Sequence, residues 1–165
     1  MRVGRMITVA SALITMTALA QGTPAIAAET PTGATTLVLF NDIPKSSTTP
    51  DLGPGVATVS VHEAVLRSNK GKPVGTFHVV ITSVNLPAAD AVEKRMRNVV
   101  FYLGDGQIVA SGMGLYPNTE QFLVVKVPHR IAIVGGTGKY LGARGEVTTT
   151  RSVEGTYRHV LTLLK

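Results

Sequence analysis

From Thr35 onward the chain is a series of short runs of β-favouring residues separated by turn residues, with room for almost no helix. Regularly spaced runs of this kind, bounded by glycine, proline and asparagine, are typical of an all-β domain. The length of 165 residues fits a single domain. An antiparallel sheet of about eight strands tends to curl, and closing it removes its exposed edges. We therefore predict an all-β fold, an eight-stranded antiparallel up-and-down β-barrel, over residues 35–165.

The alternation of apolar and polar residues assigns the individual strands. A first strand at residues 35–40 is followed by a loop, rich in Pro, Ser, Thr and Gly, that runs to residue 55. Residues 56–66 and 74–84 form a hairpin, and residues 87–94 are the one segment where a short helix is expected. The remaining strands are predicted at residues 95–103, 107–116, 122–134, 143–153 and 157–164.

The first 27 residues have the three parts of a cleavable secretory signal peptide. Arg2 and Arg5 form a basic start, residues 6–20 are largely apolar and uncharged, and small residues precede the expected cleavage site. The apolar run is shorter than the ~20 residues of a membrane span, which disfavours an anchor. We expect cleavage near Ala27-Ala28, a secreted protein without membrane attachment, and a flexible segment at residues 28–34.

Charge and cysteine content exclude several classes of function. Removing residues 1–27 takes away two arginines and no acid, which leaves 14 basic and 10 acidic side chains and a net charge of +4. Lys and Arg are scattered without aromatic residues between them, so no nucleic-acid partner is expected. Arg95 with Arg97, and Lys70 with Lys72, come nearest to clusters and are interpreted as solvated charges. The chain has no cysteine, which excludes a disulfide, a thiol nucleophile and a thiolate metal site.

Residues 135–140 read GGTGKY and form the most conspicuous local motif. A phosphate-binding loop needs glycine where Ile133 stands and Ser or Thr where Tyr140 stands, so the motif does not fit a phosphate site. The glycines instead indicate a tight connection between strands, which requires a positive φ. Gly112 and Gly114 likewise predict a bend or a close approach of the backbone within their strand.

The same glycine segment carries a family resemblance. Residues 131–140, followed by the Ala-Arg-Gly of residues 143–145, closely resemble the Gly-Gly-Thr-Gly-x-Phe-x-x-Ala-Arg-Gly signature of dirigent proteins. Residues 37–43 are similar to the dirigent first strand, and residues 102–108 look like the related allene oxide cyclases. The resemblance covers most of residues 35–165 and is most specific in the glycine block. It implies a calycin-type barrel, usually assembled as a homotrimer, in a bacterial secreted dirigent-like protein.

The two families imply a general role and not one specific reaction. Dirigent proteins steer the coupling or cyclisation of reactive intermediates, and allene oxide cyclases fix how an unstable epoxide closes; both hold one conformer of an apolar substrate. The resemblance thus implies a barrel that binds a small apolar or aromatic molecule and guides its cyclisation or stereoselective coupling, isomerase-like and without a cofactor. The alternative is a non-catalytic ligand-binding or structural barrel. A cavity with convergent polar groups favours the guide. A barrel filled by its own side chains, with Glu63 and Tyr102 facing outward, would overturn it.

Two candidate site residues come from positions that match the family motifs. Asp42 falls on the acidic position of the dirigent first strand, as a general acid or a stabiliser of a developing cation; equally, it caps a turn. Asn41 stands where the dirigent proteins have histidine, which puts their reaction in doubt here. Arg144 matches the arginine after the glycine turn. Alternation places it on one face with Glu146, and we expect a polar surface strip more than an internal pair.

Two further candidates come from the strands themselves. Tyr102 offers a hydroxyl to a cavity or is an ordinary amphipathic core residue. Glu63 shares a face with three valines, so its carboxyl is a candidate cavity acid with a raised pKa; it lies equally well at a subunit contact. His78 and His159 lie on different strands without a third ligand at metal spacing, so no metal site and no cofactor are predicted.

Overall fold

The computed structural model describes residues 33–48, 57–84, 92–117 and 121–164. Within these ranges no helix is long and apolar enough to span a membrane. The described chain forms nine strands: β1 (Thr35–Asn41), β2 (Lys45–Thr48), β3 (Ala57–Ser68), β4 (Pro73–Val84), β5 (Val92–Leu103), β6 (Gly106–Pro117), β7 (His129–Gly138), β8 (Arg144–Arg151) and β9 (Tyr157–Leu164).

These strands make one antiparallel sheet that closes on itself. Sequential neighbours pair from β3 to β9, β9 pairs with β1, and β1 returns to β3 through Leu39 opposite Ser68 and Phe40 opposite Arg67. The short strand β2 pairs with the earlier part of β3, so β1 and β2 together occupy one position of the barrel. The predicted all-β fold with a closed eight-stranded antiparallel barrel is therefore confirmed.

Three short turns lie together at one end of the barrel, which we call the hairpin end. They join β3 to β4 at residues 69–72, β5 to β6 at residues 104–105, and β7 to β8 at residues 139–143. In the last of these, Gly138 has a φ of +59°, and a Cβ there would lie 2.4 Å from the carbonyl oxygen of Asp105. The glycine block therefore serves the turn between two barrel strands, as predicted.

The barrel interior is filled by alternate side chains of every long strand. Its apolar core is contiguous and is densest at the hairpin end, where Leu66, Leu103 and Ile108 are buried. On β5 the inward positions run from one end of the barrel to the other and are, in order, Arg95, Arg97, Val99, Phe101 and Leu103.

Most predicted strands are confirmed, and the differences fall in the connections. The expected loop after β1 contains β2, and residues 92–94, expected to be helical, begin β5. The rest of that expected helix lies outside the described residues. Residues 122–128 are mostly apolar but do not extend β7, which begins at His129. They form an isolated bridge from Val125 to Arg151, and the amides of Val124 and Lys126 donate to backbone carbonyls of β6 and β8.

Candidate functional site

The two candidates on the barrel strands, Glu63 and Tyr102, point away from the interior. Glu63 shares the outer face of β3 with Val61 and Val65, each of which is 48% exposed, and Tyr102 on β5 is 52% exposed. The expectation of a cavity acid at Glu63 is therefore wrong. Because β3 carries apolar residues on both faces, alternation does not tell which face is the core face. The inner face is the one that carries His62.

The two candidates from the family motifs also lie on the surface. Asp42 is exposed just after β1, and its Oδ2 lies 3.8 Å from Nε of Arg67. Arg144 is exposed and donates a hydrogen bond from Nη1 to the carbonyl oxygen of Ala143 at 2.8 Å. Glu146 on the same outer face pairs with Arg130 at 3.6 Å, so the polar surface strip predicted around Arg144 is confirmed. The catalytic roles of the four candidates stay predictions.

A different set of polar side chains converges inside the barrel, at the end opposite the short turns. His62, Arg97, Tyr116 and Tyr157 are all buried there, on four different strands. They surround a cavity of about 20 Å³, whose apolar walls include Phe77 and Phe122. We call this region the polar end. A cavity of this size holds about one water molecule.

Two arginines point into the polar end from β5, and only one of them is neutralised. Arg95 forms an ion pair with Glu93, and its guanidinium carbon lies 4.9 Å from the ring centroid of Tyr116. Arg97 is 2% exposed, and its Nε and Nη1 atoms have no hydrogen-bond partner. The interpretation of Arg95 and Arg97 as solvated charges is wrong. Their alternation with Val99 along β5 is the sequence signal that points to the interior.

The environment sets the protonation state of the groups around Arg97. Burial, together with the charges of Arg97 and Arg95, lowers the pKa of His62 to about 4, so its ring is neutral at pH 7. Burial raises the pKa of Tyr157 to about 12 and also raises the pKa of Tyr116. Both phenols therefore keep their protons and act as hydrogen-bond donors. Arg97 supplies the one charge among the described polar groups that line this cavity.

A buried hydrogen-bonded chain lies directly beneath the polar end. Nε2 of His159 donates to Oδ1 of Asn41 at 2.6 Å, because an amide oxygen can only accept, and Nδ1 then accepts from the hydroxyl of Thr149 at 3.0 Å. Burial, with a further contribution from Arg97, lowers the pKa of His159 to about 3. Within the first-strand motif, the side chain that enters the core is therefore that of Asn41, and Asp42 stays outside.

Glycines on β6 make the space that the arginine side chains occupy. A Cβ on Gly114 would lie 2.7 Å from Cδ of Arg97 and 2.9 Å from Cδ2 of Leu123. A Cβ on Gly112 would lie 2.8 Å from Cγ2 of Ile131. The glycines predicted to mark a bend or a close backbone approach are instead sites where side chains pack against the β6 backbone, and at Gly114 this packing belongs to the polar end.

A larger groove of about 520 Å³ lies on the outside of the barrel beside the turn from β8 to β9. Its charged groups include Lys126, Glu154 and Arg158, and all three are exposed. Water competes for polar contacts at such a surface, and exposed ion pairs contribute little. The buried groups of the polar end are therefore the stronger candidate site.

Comparison with known proteins identifies solved structures with the same fold but does not assign the chain to a family. No protein-family model and no curated protein matches the chain. Among solved structures, a pyocyanin demethylase is 23% identical and aligns with a TM-score of 0.57 over 79% of this chain and 99% of its own. AbnU, an exo-specific intermolecular Diels-Alderase, is 15% identical with a TM-score of 0.54 over 79% of this chain and 97% of its own. At these identities the likeness shows that the chain has the fold of these small β-barrel proteins.

Proposed function

We propose that the barrel binds a small apolar or aromatic molecule at its polar end and guides the cyclisation or stereoselective coupling of that molecule. The observation that carries the proposal is the convergence of His62, Arg97, Tyr116 and Tyr157 on one cavity inside an otherwise apolar barrel. A mostly apolar site with a few convergent polar groups is typical of small-molecule binding.

The residues of the polar end suit catalysis by orientation. The rings of Phe77 and Phe122 offer flat apolar surfaces that hold a planar molecule in one conformer. The Tyr116 and Tyr157 hydroxyls keep their protons, because burial raises their pKa values, and can donate hydrogen bonds to a ligand. Donors and a fixed charge in a dry site stabilise an oxygen on which negative charge develops during ring closure. No cofactor is needed for such a reaction.

The cavity has to open for a ligand to enter. Its present volume of about 20 Å³ is far below the few hundred Å³ that a drug-sized ligand occupies. Phe122 and Leu123 close the barrel from the segment between β6 and β7, outside any strand. The ring of Phe122 is held by Arg151, whose guanidinium carbon lies 5.1 Å from the ring centroid. The proposal therefore requires Phe122 and Leu123 to move on binding.

The names of these two structural neighbours suggest the kind of chemistry that we propose. One is named for demethylation of pyocyanin and the other for an intermolecular Diels-Alder reaction, which forms a ring. Barrels of this fold thus carry chemistry on small molecules in both neighbours. This supports a guide over a purely structural barrel, whereas the outward positions of Glu63 and Tyr102 and the small cavity favour the non-catalytic alternative.

Native mass spectrometry of the protein from its producing cells tests the proposal directly. We expect a retained small molecule, with the loss of that molecule in Tyr157→Phe and Tyr116→Phe. A retained molecule that the protein never converts identifies a carrier. If no ligand is found in cell extracts or in a small-molecule screen, the barrel is structural. If Asp42→Ala or Glu63→Ala abolishes turnover while the tyrosine variants keep it, the chemistry lies outside the barrel and the proposal is wrong.

Export and self-association complete the proposed function. The composition of residues 1–27, which lie outside the described residues, supports export, and N-terminal sequencing of the secreted protein tests it. Exposed apolar side chains on neighbouring outer strands, Val61, Val80, Met96 and Met113, support a homotrimer. Light scattering of the purified protein gives its mass, and a monomer at working concentration would rule the trimer out.

A further inference from the structure

The guanidinium of Arg97 is an uncompensated charge inside the barrel. Its side chain is 98% removed from solvent, and two of its three nitrogens are buried without an acceptor. A buried charge without a partner is among the costliest features that a fold can contain, and a partner normally accompanies it. No Asp or Glu side chain is among the buried polar residues of the described chain.

Arg95 shows what a structural arginine looks like in this barrel. It lies two positions before Arg97 on the same face of β5, pairs with Glu93, and donates from Nη2 to the carbonyl oxygen of Pro117 at 3.4 Å. Glu93 on β5 therefore provides a carboxylate for Arg95 and the end of β6 provides a carbonyl, whereas Nε and Nη1 of Arg97 have neither. Gly114 accommodates the Arg97 side chain, since a Cβ there would lie 2.7 Å from its Cδ, so the neighbouring strand makes room for the arginine without giving it an acceptor.

The neighbours of Arg97 supply donors more than acceptors. Tyr116 and Tyr157 stay protonated, and neither makes a hydrogen bond to Arg97. His62 is neutral and already bonds to the hydroxyl of Ser60 at 3.1 Å. What the cluster lacks is an anionic acceptor, and Nε and Nη1 of Arg97 are the buried donors in it that have no partner.

We infer that Arg97 binds an acidic oxygen group of the ligand, so that the substrate class is a small aromatic or alicyclic molecule bearing a carboxylate, an enolate or a phenolate oxygen. This inference rests on the proposed function, since the same cavity holds the ligand. The anionic oxygen lies against Nε and Nη1 of Arg97, and the apolar part of the molecule lies against Phe77 and Phe122. The charge interaction fixes which end of the molecule faces the barrel interior.

Calorimetric titration with benzoate and with benzyl alcohol tests the inference, because the two probes share a ring and differ in charge. We expect benzoate to bind more tightly than the alcohol to the wild-type protein. In Arg97→Gln the affinity for benzoate should fall roughly 10- to 100-fold while the affinity for the alcohol is unchanged. The matched control is Arg130→Gln, which removes a positive charge from the outer surface and should leave both affinities unchanged.

The other possible results of the titration would contradict the inference, and they differ in what they imply for the proposed function. If both probes bind equally well and Arg97→Gln affects neither, the inference is wrong and the proposed small-molecule site stands. If neither probe binds, the proposed function fails together with the inference. If chloride displaces benzoate at equal concentration, the occupant is an inorganic anion, which also overturns it.

A stability measurement separates a ligand-binding arginine from a structural one. Removing a buried charge that has no partner should leave the midpoint of thermal unfolding of the ligand-free protein unchanged or raise it by a few degrees. A large fall in Arg97→Gln would show that the guanidinium holds the fold together and would contradict the inference. If Arg97→Gln does not fold at all, the preference of the wild-type protein for benzoate over benzyl alcohol still decides the question.

Discussion

The two ends of the barrel interior are built from the same strands and differ in almost every other respect. At the hairpin end the strands are joined by short turns, and the interior holds buried apolar side chains such as Leu66 and Ile108. At the polar end β8 and β9 are joined by a short turn but β6 and β7 by a longer connection, and the interior holds a charge, phenols and a histidine, including Arg97 and Tyr157. The hairpin end stabilises the fold by apolar burial, whereas the polar end has polar side chains, suited to ligand binding, in place of apolar ones.

Strand β5 shows the contrast within a single element. Its inward side chains change from Arg95 and Arg97 at the polar end to Phe101 and Leu103 at the hairpin end. A rigid strand that is anchored by apolar packing at one end can hold a charged side chain in a fixed position at the other. The comparison leads to three predictions, which start with the largest expected effect.

Leu66→Ala should destabilise the fold most, because Leu66 is fully buried at the hairpin end. The lost burial and the cavity left behind predict a loss of about 2–5 kcal/mol in the free energy of unfolding, measured by urea denaturation. Tyr116→Phe at the polar end is the comparison and should cost less than half as much. If the two variants are equally destabilised, the division of the interior into two ends is wrong.

Lowering the pH should destabilise the fold through His159, which is buried beneath the polar end. Because the folded pKa of His159 is about 3 and an unfolded histidine titrates near 6.5, the folded protein binds fewer protons between these values. This stabilising contribution is fully present above pH 6.5 and is lost as the pH falls toward 3, with a total of about 5 kcal/mol over the whole range. Urea unfolding at pH 7.5, 6.5, 5.5 and 4.5 measures the slope. His159→Gln should flatten it, and an unchanged slope in that variant would contradict the prediction.

Gly114→Ala should damage the polar end selectively. Its added methyl would meet Arg97 and Leu123 at less than 3.0 Å, so one of them has to move, at a cost of about 1–3 kcal/mol. Gly135→Ala is the matched control, since a Cβ there meets only Nη1 of Arg144, at 4.0 Å. The midpoint of thermal unfolding and the affinity for benzoate should both fall in Gly114→Ala and stay unchanged in Gly135→Ala. Equal effects in the two variants would show that Gly114 has no special relation to the site.

The fold was largely predictable from the sequence, because turns and alternation are local signals. The turn around Gly138 and the hairpins follow from residue types within a few positions of one another. The path of residues 122–128 could not be predicted from the sequence, because an apolar run is compatible with a strand and with a segment that covers the barrel end.

The candidate site was less predictable, because alternation gives two faces and does not say which one is inside. On β3 the valines lie outside and His62 lies inside, the reverse of the usual expectation from hydrophobicity. For Arg97 a sequence signal exists, since it shares a face with Val99 and Phe101. At that position charge predicts exposure and periodicity predicts burial, and the structure follows the periodicity.

The ladder between β1 and β9 has a consequence for the order of assembly. Residues 35–41 pair with residues 157–163, so the first strand of the domain needs the last one as its partner. Contacts this distant in sequence form late and slow the approach to the native state. A growing chain has no lateral partner for β1 on that side until residues 157–163 have been made. The barrel can therefore close only after β9 has been synthesised, and the sheet stays open until then.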